Sequence, residues 1–203
     1  ASARNNLPTV VQHRATLQGI IMVTKVITHP TTEPISIDEV ARHLRLGGSP
    51  YADATLITVL TTAARQWVEE YTRMAIGTQT LELVLDSFPS ALMLRPYAQI
   101  VTSIKYLDTA GVEQTLSASG YTLDNDSLPC WVTPAYGYEW PDTYPVPNSV
   151  RVRYVAGYTS DTDSPAYPMP KPIYAAILLT IGDLYENREG SIVGTIHTVN
   201  PAV

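Results

Sequence analysis

The sequence has few charged residues, and its basic residues are outnumbered by acidic ones. Only 16% of its 203 residues are charged, against about 25% in typical globular chains. The sequence has 13 basic and 19 acidic residues, its net charge is −6, and it contains no basic block. Tight, sequence-independent nucleic-acid binding needs lysine and arginine to displace counterions from phosphates. The composition therefore argues against a protein built to grip DNA, and it is typical either of a surface that faces other proteins or of a neutral extracellular surface.

Cysteine and long apolar runs are also scarce. The single cysteine, Cys130, excludes an intrachain disulfide and a cysteine-based zinc site. It stands between apolar neighbours in LPCWV, which predicts a buried structural thiol. The longest apolar run, IYAAILLTIG, is too short to span a membrane, and the N-terminal residues lack the pattern of a signal peptide. We therefore expect no membrane partner.

Motifs for catalysis and for metal binding are missing as well. We find no Walker-type loop, dinucleotide fingerprint or glycine-flanked serine elbow. The acidic clusters at 124–126 and 161–163 fail the EF-hand pattern, and we expect both to form turns. Asp183, Glu186 and Arg188 leave open an unusual carboxylate site with an arginine clamp, but no nucleophile accompanies them. We predict no enzyme, no cofactor and no metal.

Capping residues and apolar spacing predict three helices, over about residues 37–45, 53–75 and 172–188. A capping box formed by Ser36 and Glu39 opens the first helix. The third helix is apolar almost all round, so it needs cover on both faces. The long second helix supplies one cover, and either the β-domain or a neighbouring subunit supplies the other.

The long second helix is expected to bury a stripe of apolar residues at steps of three and four. This predicted stripe comprises Leu56, Ile57, Leu60, Ala63, Ala64, Trp67, Val68 and Tyr71. Arg65 and Glu69 lie off the stripe. Asp53 is predicted to cap the helix and Gly77 to end it, as Gly47 and Gly48 are predicted to end the first helix.

Between the second and third helices the apolar period changes to two. Residues 79–158 contain short alternating segments and a hairpin turn at 108–111. This grouping predicts an α+β fold in which a small antiparallel β-domain is inserted between packed helices. Residues 1–34 are expected to form an N-terminal arm, 35–190 the main domain and 191–203 a C-terminal tail.

The β-domain ends in the stretch TPAYGYEWPDTYPVPNSVRVRYVAGY at 133–158, in which a loop rich in aromatic residues and proline runs into an alternating last strand. We expect Tyr136, Trp140 and Pro141 to be scaffold that folds over one end of the β-domain and fixes the entry into the last strand. The alternative is that the aromatic side chains of this loop stack on sugars, which would make the protein a glycan-binding module of a virion or cell surface.

Four stretches, in this order, resemble the head–tail connector (adaptor) proteins of long-tailed bacteriophages, prophages and gene transfer agents. They are ISIDEVARHLRL, ATLITVLTTAARQWVEEYTRMAIGTQTLELVLDSFP, AYGYEWPDTYPVPNSVRVRYVAGY and PKPIYAAILLTIGDLYENRE. Together they cover roughly residues 35–190. The segment before Met22 is not typical of the family, and the family's chains continue beyond the equivalent of Val203 into another short helix.

The resemblance implies a ring, usually of twelve copies, beneath the portal protein in the virion neck, assembled in the host cytoplasm. Such a ring extends the DNA channel, lets genomic DNA pass without sequence-specific binding, and docks stopper or tail-terminator proteins. The implied portal contacts in the C-terminal tail are Ile192, Val193, Ile196, His197 and Val199. The two-sided closing helix suits lateral packing between copies. The expected subunit-interface residues are Tyr174, Ile177, Tyr185, Glu186 and Arg188.

Overall fold

The computed structural model of the protein describes residues 22–159 and 168–187. Within these ranges the chain forms three α-helices and eight strands, which confirms the predicted α+β class. The helices are α1 (Ile37–His43), α2 (Ala54–Thr72) and α3 (Lys171–Glu186). The strands are β1 (Val23–Thr28), β2 (Gln79–Leu85), β3 (Leu92–Leu94), β4 (Ala98–Leu107), β5 (Glu113–Thr115), β6 (Tyr121–Asp124), β7 (Cys130–Pro134) and β8 (Val150–Ala156).

The strands form two antiparallel sheets that enclose the first of two cores. A five-stranded sheet has the order β1-β2-β8-β4-β5, and a three-stranded sheet has the order β3-β7-β6. Alternate residues of β2 and β8 point into this core and meet apolar residues of β3 and β7. Cys130 belongs to this core as a buried free thiol, as predicted. The turn predicted at 108–111 joins β4 to β5, and the Asp108 carboxylate accepts the N–H groups of Ala110 and Val112.

Strand β1 extends the sheet beyond the predicted β-domain. It pairs antiparallel with β2, so Val23–Thr28, which fall in the predicted arm, form an edge strand. Five of its six residues are exposed. A strand exposed on both faces has no need of alternating polarity, which is the signal that reveals a strand in a sequence.

The three helices pack on one another around the second core. Helix α3 lies on α2, as predicted, and both contact the short α1. The buried members of this core are Ile35, Val40, Ile57, Ala64, Val68, Ile76, Tyr158, Ile177 and Ile181.

The end of β8 carries the chain from one core to the other. Tyr154 is buried between the sheets, while the Tyr158 ring lies in the helical core, 4.8 Å from the ring of Tyr97. Between them Gly157 has a φ of +126°, and a Cβ there would lie 2.3 Å from the carbonyl oxygen of Gly77. Only glycine fits this close approach. The Tyr-x-Ala-Gly-Tyr segment therefore connects the two cores.

The first helix begins as predicted. The Ser36 hydroxyl accepts the Glu39 N–H at 3.3 Å, and a Glu39 carboxylate oxygen accepts the Ser36 N–H at 2.9 Å. The second Glu39 oxygen accepts the Tyr174 hydroxyl at 3.1 Å, which connects α1 to α3. The Ser36 side-chain and backbone hydrogen bonds hold the pKa of Glu39 below its usual value.

The first two helices do not end at the predicted glycines. Helix α1 ends at His43 and α2 at Thr72, and the left-handed residues that follow are Arg45 (φ 57°) and Arg73 (φ 59°). The prediction of glycine ends was wrong because glycine favours this conformation without being required for it. Gly77 serves a different purpose, since a Cβ there would lie 2.6 Å from Cγ of Pro30.

Candidate interaction surfaces

Helix α2 buries a polar row, Thr61, Arg65 and Glu69, whose last two members were predicted to lie off the apolar stripe. Arg65 is only 1% exposed. Its Nε donates to Glu33 Oε2 at 2.8 Å, and its Nη1 donates to Glu69 Oε2 at 2.7 Å. Glu69 Oε1 accepts the Ile76 N–H at 2.8 Å and Gln79 Nε2 at 2.6 Å. This buried network joins the segment before α1, the middle of α2 and the start of β2.

Because the polar row faces inward, two aromatic residues of α2 face outward. Trp67 is 48% exposed and Tyr71 is 78% exposed, against the prediction that both lie in the buried stripe. Their rings stack on each other, with centroids 5.5 Å apart and planes 9° apart. Val59, on the same helix, is also exposed. We call Val59, Trp67 and Tyr71 the α2 patch.

Helix α3 is covered on one side only. Ile177 lies in the helical core, so its side chain is not available to a neighbouring copy, contrary to the expectation for this residue. Leu179 and Leu184 are exposed. The Tyr185 hydroxyl donates to Asp53 Oδ2 at 2.7 Å, and Asp53 makes no side-chain cap to α2, against the prediction.

Of the remaining predicted interface and tail residues, Glu186 belongs to the described part of the chain and the others lie outside it. Glu186 is exposed at the last turn of α3, next to Asn187, whose side-chain amide donates to Asp183 Oδ1 at 2.8 Å. Arg188 lies outside the described residues, and so does the whole predicted portal-binding tail. The tail residues are Ile192, Val193, Ile196, His197 and Val199.

Trp140 anchors the aromatic loop to the β-domain. Its ring stacks on Phe88, with centroids 4.8 Å apart and planes 6° apart, and its Nε1 donates to the Ser90 carbonyl oxygen at 3.4 Å. Pro141, next to it, is half-buried. Tyr136, in contrast, has a relative exposure of 105% and does not fold over the β-domain as expected.

The other two tyrosines of the loop lie at separate places. Tyr138 lies beside Gly120, at 3.8 Å from the position of a Cβ built there, and Tyr144 lies at 4.0 Å from the equivalent position on Gly111. With Trp140 on Phe88, the rings of the loop contact different parts of the β-domain. This geometry provides no shared stacking platform for a sugar.

The described residues leave one face of the five-stranded sheet uncovered, and we call it the outer face. On the central strand β8, Arg151 and Arg153 point away from the core and are exposed, as their alternation predicts. Both contact the carboxylate of Glu82 on β2, at 3.3 and 2.7 Å. On β4, Lys105 Nζ lies 2.7 Å from Glu113 Oε1 on β5, and this lysine holds the pKa of Glu113 below its usual value.

A cleft of about 930 Å³ lies between the helices and the start of the β-domain. Its walls include Glu39, Thr78, Tyr158, Lys171 and Tyr174. Glu39 is held by the capping box and by Tyr174, and burial raises the pKa of Tyr158. These groups are engaged in structural contacts, and the described residues that line the cleft include neither cysteine nor histidine.

The part of the chain that the structure describes contains no group of three His, Cys, Asp or Glu side chains placed to hold a metal ion. Asp124 forms the predicted turn, since its Oδ1 accepts the N–H groups of Asp126 and Ser127, both at 3.1 Å. The second acidic cluster, at 161–163, lies outside the described residues. In residues 22–159 and 168–187, no helix has the length and apolar character needed to cross a membrane.

Sequence reasoning missed the α2 patch. The signal that would have revealed it is the spacing of Thr61, Arg65 and Glu69, which recur every fourth residue and so share one face of the helix. A face of three polar residues can be buried when other segments supply hydrogen-bond partners. Those partners come from distant positions in the sequence, which periodicity does not display.

No protein-family model matches the sequence, and no curated protein is significantly similar to it. Solved structures, however, share the fold. The chain is similar to one in the neck of an empty gene transfer agent particle, computed with C6 symmetry, and to one in the virion of a native gene transfer agent particle. In both comparisons the identity is 22%, the TM-score is 0.68, and the match covers 86% of this chain and 89% of the other.

A third similar chain comes from the neck of a native gene transfer agent particle, computed with C12 symmetry. Its identity to this chain is 19%, the TM-score is 0.65, and the match covers 86% of this chain and 88% of that one. Shared geometry over this length, at such low identity, establishes a common fold. The fold of this protein is therefore one that also occurs in the necks of gene transfer agent particles.

Proposed function

We propose that the protein is a structural component of a virion neck, a head–tail connector that forms a ring beneath the portal. The ring extends the DNA channel and docks stopper or tail-terminator proteins. The observation that carries the proposal is the fold shared with neck chains over 86% of this chain at a TM-score of 0.68. The order of the four sequence stretches that resemble connector proteins supports it independently.

The exposed apolar residues of the helices support assembly into a ring. The α2 patch exposes a stacked tryptophan and tyrosine, and α3 exposes Leu179 on the side away from its own core and Leu184 near its C-terminal end. Tryptophan and tyrosine are enriched where protein surfaces bind each other. We propose that these surfaces, with Tyr174, Tyr185, Glu186 and Arg188 on or next to α3, form the lateral contacts. A ring needs two different surfaces that meet head to tail around an axis.

We propose twelve copies in the ring, in keeping with the C12 symmetry used for one similar neck. We also propose that residues 191–203 contact the portal protein. Their sequence alternates apolar and polar residues in SIVGTIHTV. Such a segment can add a strand to the edge of a partner's sheet.

Cryo-electron microscopy of particles that carry the protein tests the proposal, with cyclic symmetry tested and not imposed. We expect a ring of this fold directly beneath the portal, with the chain after α3 reaching the portal. Density for this fold elsewhere on the particle, or its absence from assembled particles, would refute the proposal.

Variants of the α2 patch test the lateral contacts separately. Replacing both Trp67 and Tyr71 with alanine removes exposed side chains and leaves the cores intact, so the variant should fold but be depleted from particles. The control is Tyr136→Ala, which removes a still more exposed aromatic from the β-domain loop and should incorporate normally. Equal incorporation of both variants would place the lateral contact elsewhere.

A further inference from the structure

We propose that the outer face of the five-stranded sheet is a contact surface for the phosphate backbone of double-stranded DNA. The inference deepens the proposed function, because it rests on DNA passing through a channel that this chain helps to form. It assigns a role to basic side chains that the fold gathers from separate parts of the sequence.

The outer face is open across the middle of the sheet. Strand β8 lies between β2 and β4, and its side chains alternate between buried and exposed along most of its length. If another described element covered this face, Arg151 and Arg153 on the central strand would be buried. Each arginine side chain instead keeps almost half of its surface exposed, 46% and 45%. The guanidinium groups are therefore accessible to a large partner.

Four cationic side chains lie on this face around the carboxylates of Glu82 and Glu113. Lys25 lies opposite Glu82 in the β1–β2 register, and Lys105 lies opposite Arg151 in the β4–β8 register. The cations are Lys25, Lys105, Arg151 and Arg153. The two arginines share the single carboxylate of Glu82, so their charge is only partly compensated. The face is thus positive on a chain whose net charge is −6.

The sheet brings these four residues together at distances that suit a run of phosphates. Residues two apart on one strand are separated by about 6.6 Å, and neighbouring strands by about 4.8 Å. Arginine presents a planar fork of donors that binds phosphate oxygens in pairs, while lysine supplies a point charge. The result is a basic area on a rigid element, without any means of reading base sequence.

The chemistry of the face favours DNA over an acidic protein surface. The centres of protein interfaces are enriched in aromatic residues, methionine and arginine and depleted in lysine and glutamate, whereas this face holds lysine and glutamate beside its arginines and no aromatic residue lies on their side of β8. The protein's own N-terminal residues 1–21 contain no aspartate or glutamate, so they offer the face no opposite charge. A polyanion of uniform charge matches the face better, and repetition around a ring would multiply a weak single contact.

Binding of the purified full-length chain to a 30-base-pair duplex, measured by fluorescence anisotropy between 50 and 200 mM salt, tests the inference. The main variant is Lys25→Gln with Lys105→Gln, because both lysines are exposed and the Glu82–arginine cluster stays intact. The control, Arg42→Gln with Lys171→Gln, removes the same charge from exposed sites on the helices. Circular dichroism verifies that each variant is folded.

We expect the main variant to bind more weakly, and the slope of log affinity against log salt to fall by about 2, since each lost phosphate contact contributes about 0.9. The control should keep the wild-type slope. A third variant, Glu113→Gln, removes a carboxylate from the face and should tighten binding. If the main variant and the control lose affinity equally, the protein responds to net charge alone and the inference is overturned.

Three further outcomes are informative, and the last two separate this inference from the proposed function. Binding of the chain to polyglutamate but not to the duplex would overturn the DNA contact in favour of an acidic protein partner. A ring seen beneath the portal, together with unchanged duplex binding in the main variant, would overturn the inference and leave the proposed function standing. Duplex binding that depends on the lysines, in a protein absent from the neck, would refute the proposed function and retain the DNA contact.

Discussion

Replacing Arg65 with methionine should destabilise the protein more than any comparable change on the surface of α2. Methionine keeps much of the side-chain volume but removes the hydrogen bonds to Glu33 and Glu69. Removing one partner of a buried ion pair costs about 3–5 kcal/mol, because the other charge is left without compensation. Glu33 keeps 23% of its side chain exposed and can be rehydrated, so we expect the lower end of this range, about 3 kcal/mol.

That loss is a large share of the roughly 5–15 kcal/mol that stabilises a typical domain. For a chain of about 200 residues, 1 kcal/mol corresponds to about 2–4 °C in melting temperature, so we expect a decrease of about 6–12 °C. Urea unfolding followed by circular dichroism measures the free energy, and calorimetry measures the melting temperature.

The control is Arg73→Met, at the residue that directly follows the same helix. Arg73 also forms an ion pair, with Glu70, but its side chain is 69% exposed, and exposed pairs contribute about 0–1 kcal/mol. If the two variants are destabilised to within 1 kcal/mol of each other, the buried network does not stabilise the junction between the two cores, and the reasoning fails.

Three further predictions concern stability. Ser36→Ala should lower the free energy of unfolding by about 1 kcal/mol near neutral pH. Because the folded pKa of Glu39 is lowered, the stability that Glu39 contributes is present above its unfolded pKa and is lost as pH falls through its folded pKa. The variant should therefore lose less stability in acid than the wild type when urea unfolding is measured at a series of pH values, and parallel curves would contradict this. Trp140→Ala should lower the free energy of unfolding in urea by about 3 kcal/mol, because it removes the stack on Phe88. Tyr136→Ala should lower it by less than about 0.5 kcal/mol, because this side chain is fully exposed. Equal losses would show that Trp140 does not anchor the loop. Gly157→Ala should lower the melting temperature by several degrees, since its Cβ would meet the Gly77 carbonyl oxygen, and an unchanged value would show that the backbone there moves freely.

The buried network bears on the proposed connector role. It fixes the segment before α1 and the start of β2 to the same helix, α2, on which the exposed Trp67–Tyr71 pair is mounted. A surface on a rigid element holds its geometry better than one on a loop. We therefore expect substitutions at Arg65 to weaken particle incorporation as well as stability, through displacement of the α2 patch.

The sequence alone determined the elements whose signals are local. The Ser36–Glu39 capping box, the hairpin turn at Asp108 and the alternation of β8 each depend on neighbours within a few residues. They were therefore predicted correctly, as was the α+β class. The resemblance to connector proteins likewise rested on residues along the chain, and the fold shared with neck chains agrees with it.

Tertiary structure alone decided which residues face outward and which surfaces form. Arg65 is buried because Glu33, 32 positions earlier, meets it, and Trp67 is exposed as a result. Strand β1 exists because β2 offers it an edge, although its own residues carry no alternation. The basic outer face gathers Lys25 and Arg153 on opposite sides of Glu82 in neighbouring strands. Each of these features depends on contacts between distant positions, and hydrophobic periodicity within one segment contains no information about them.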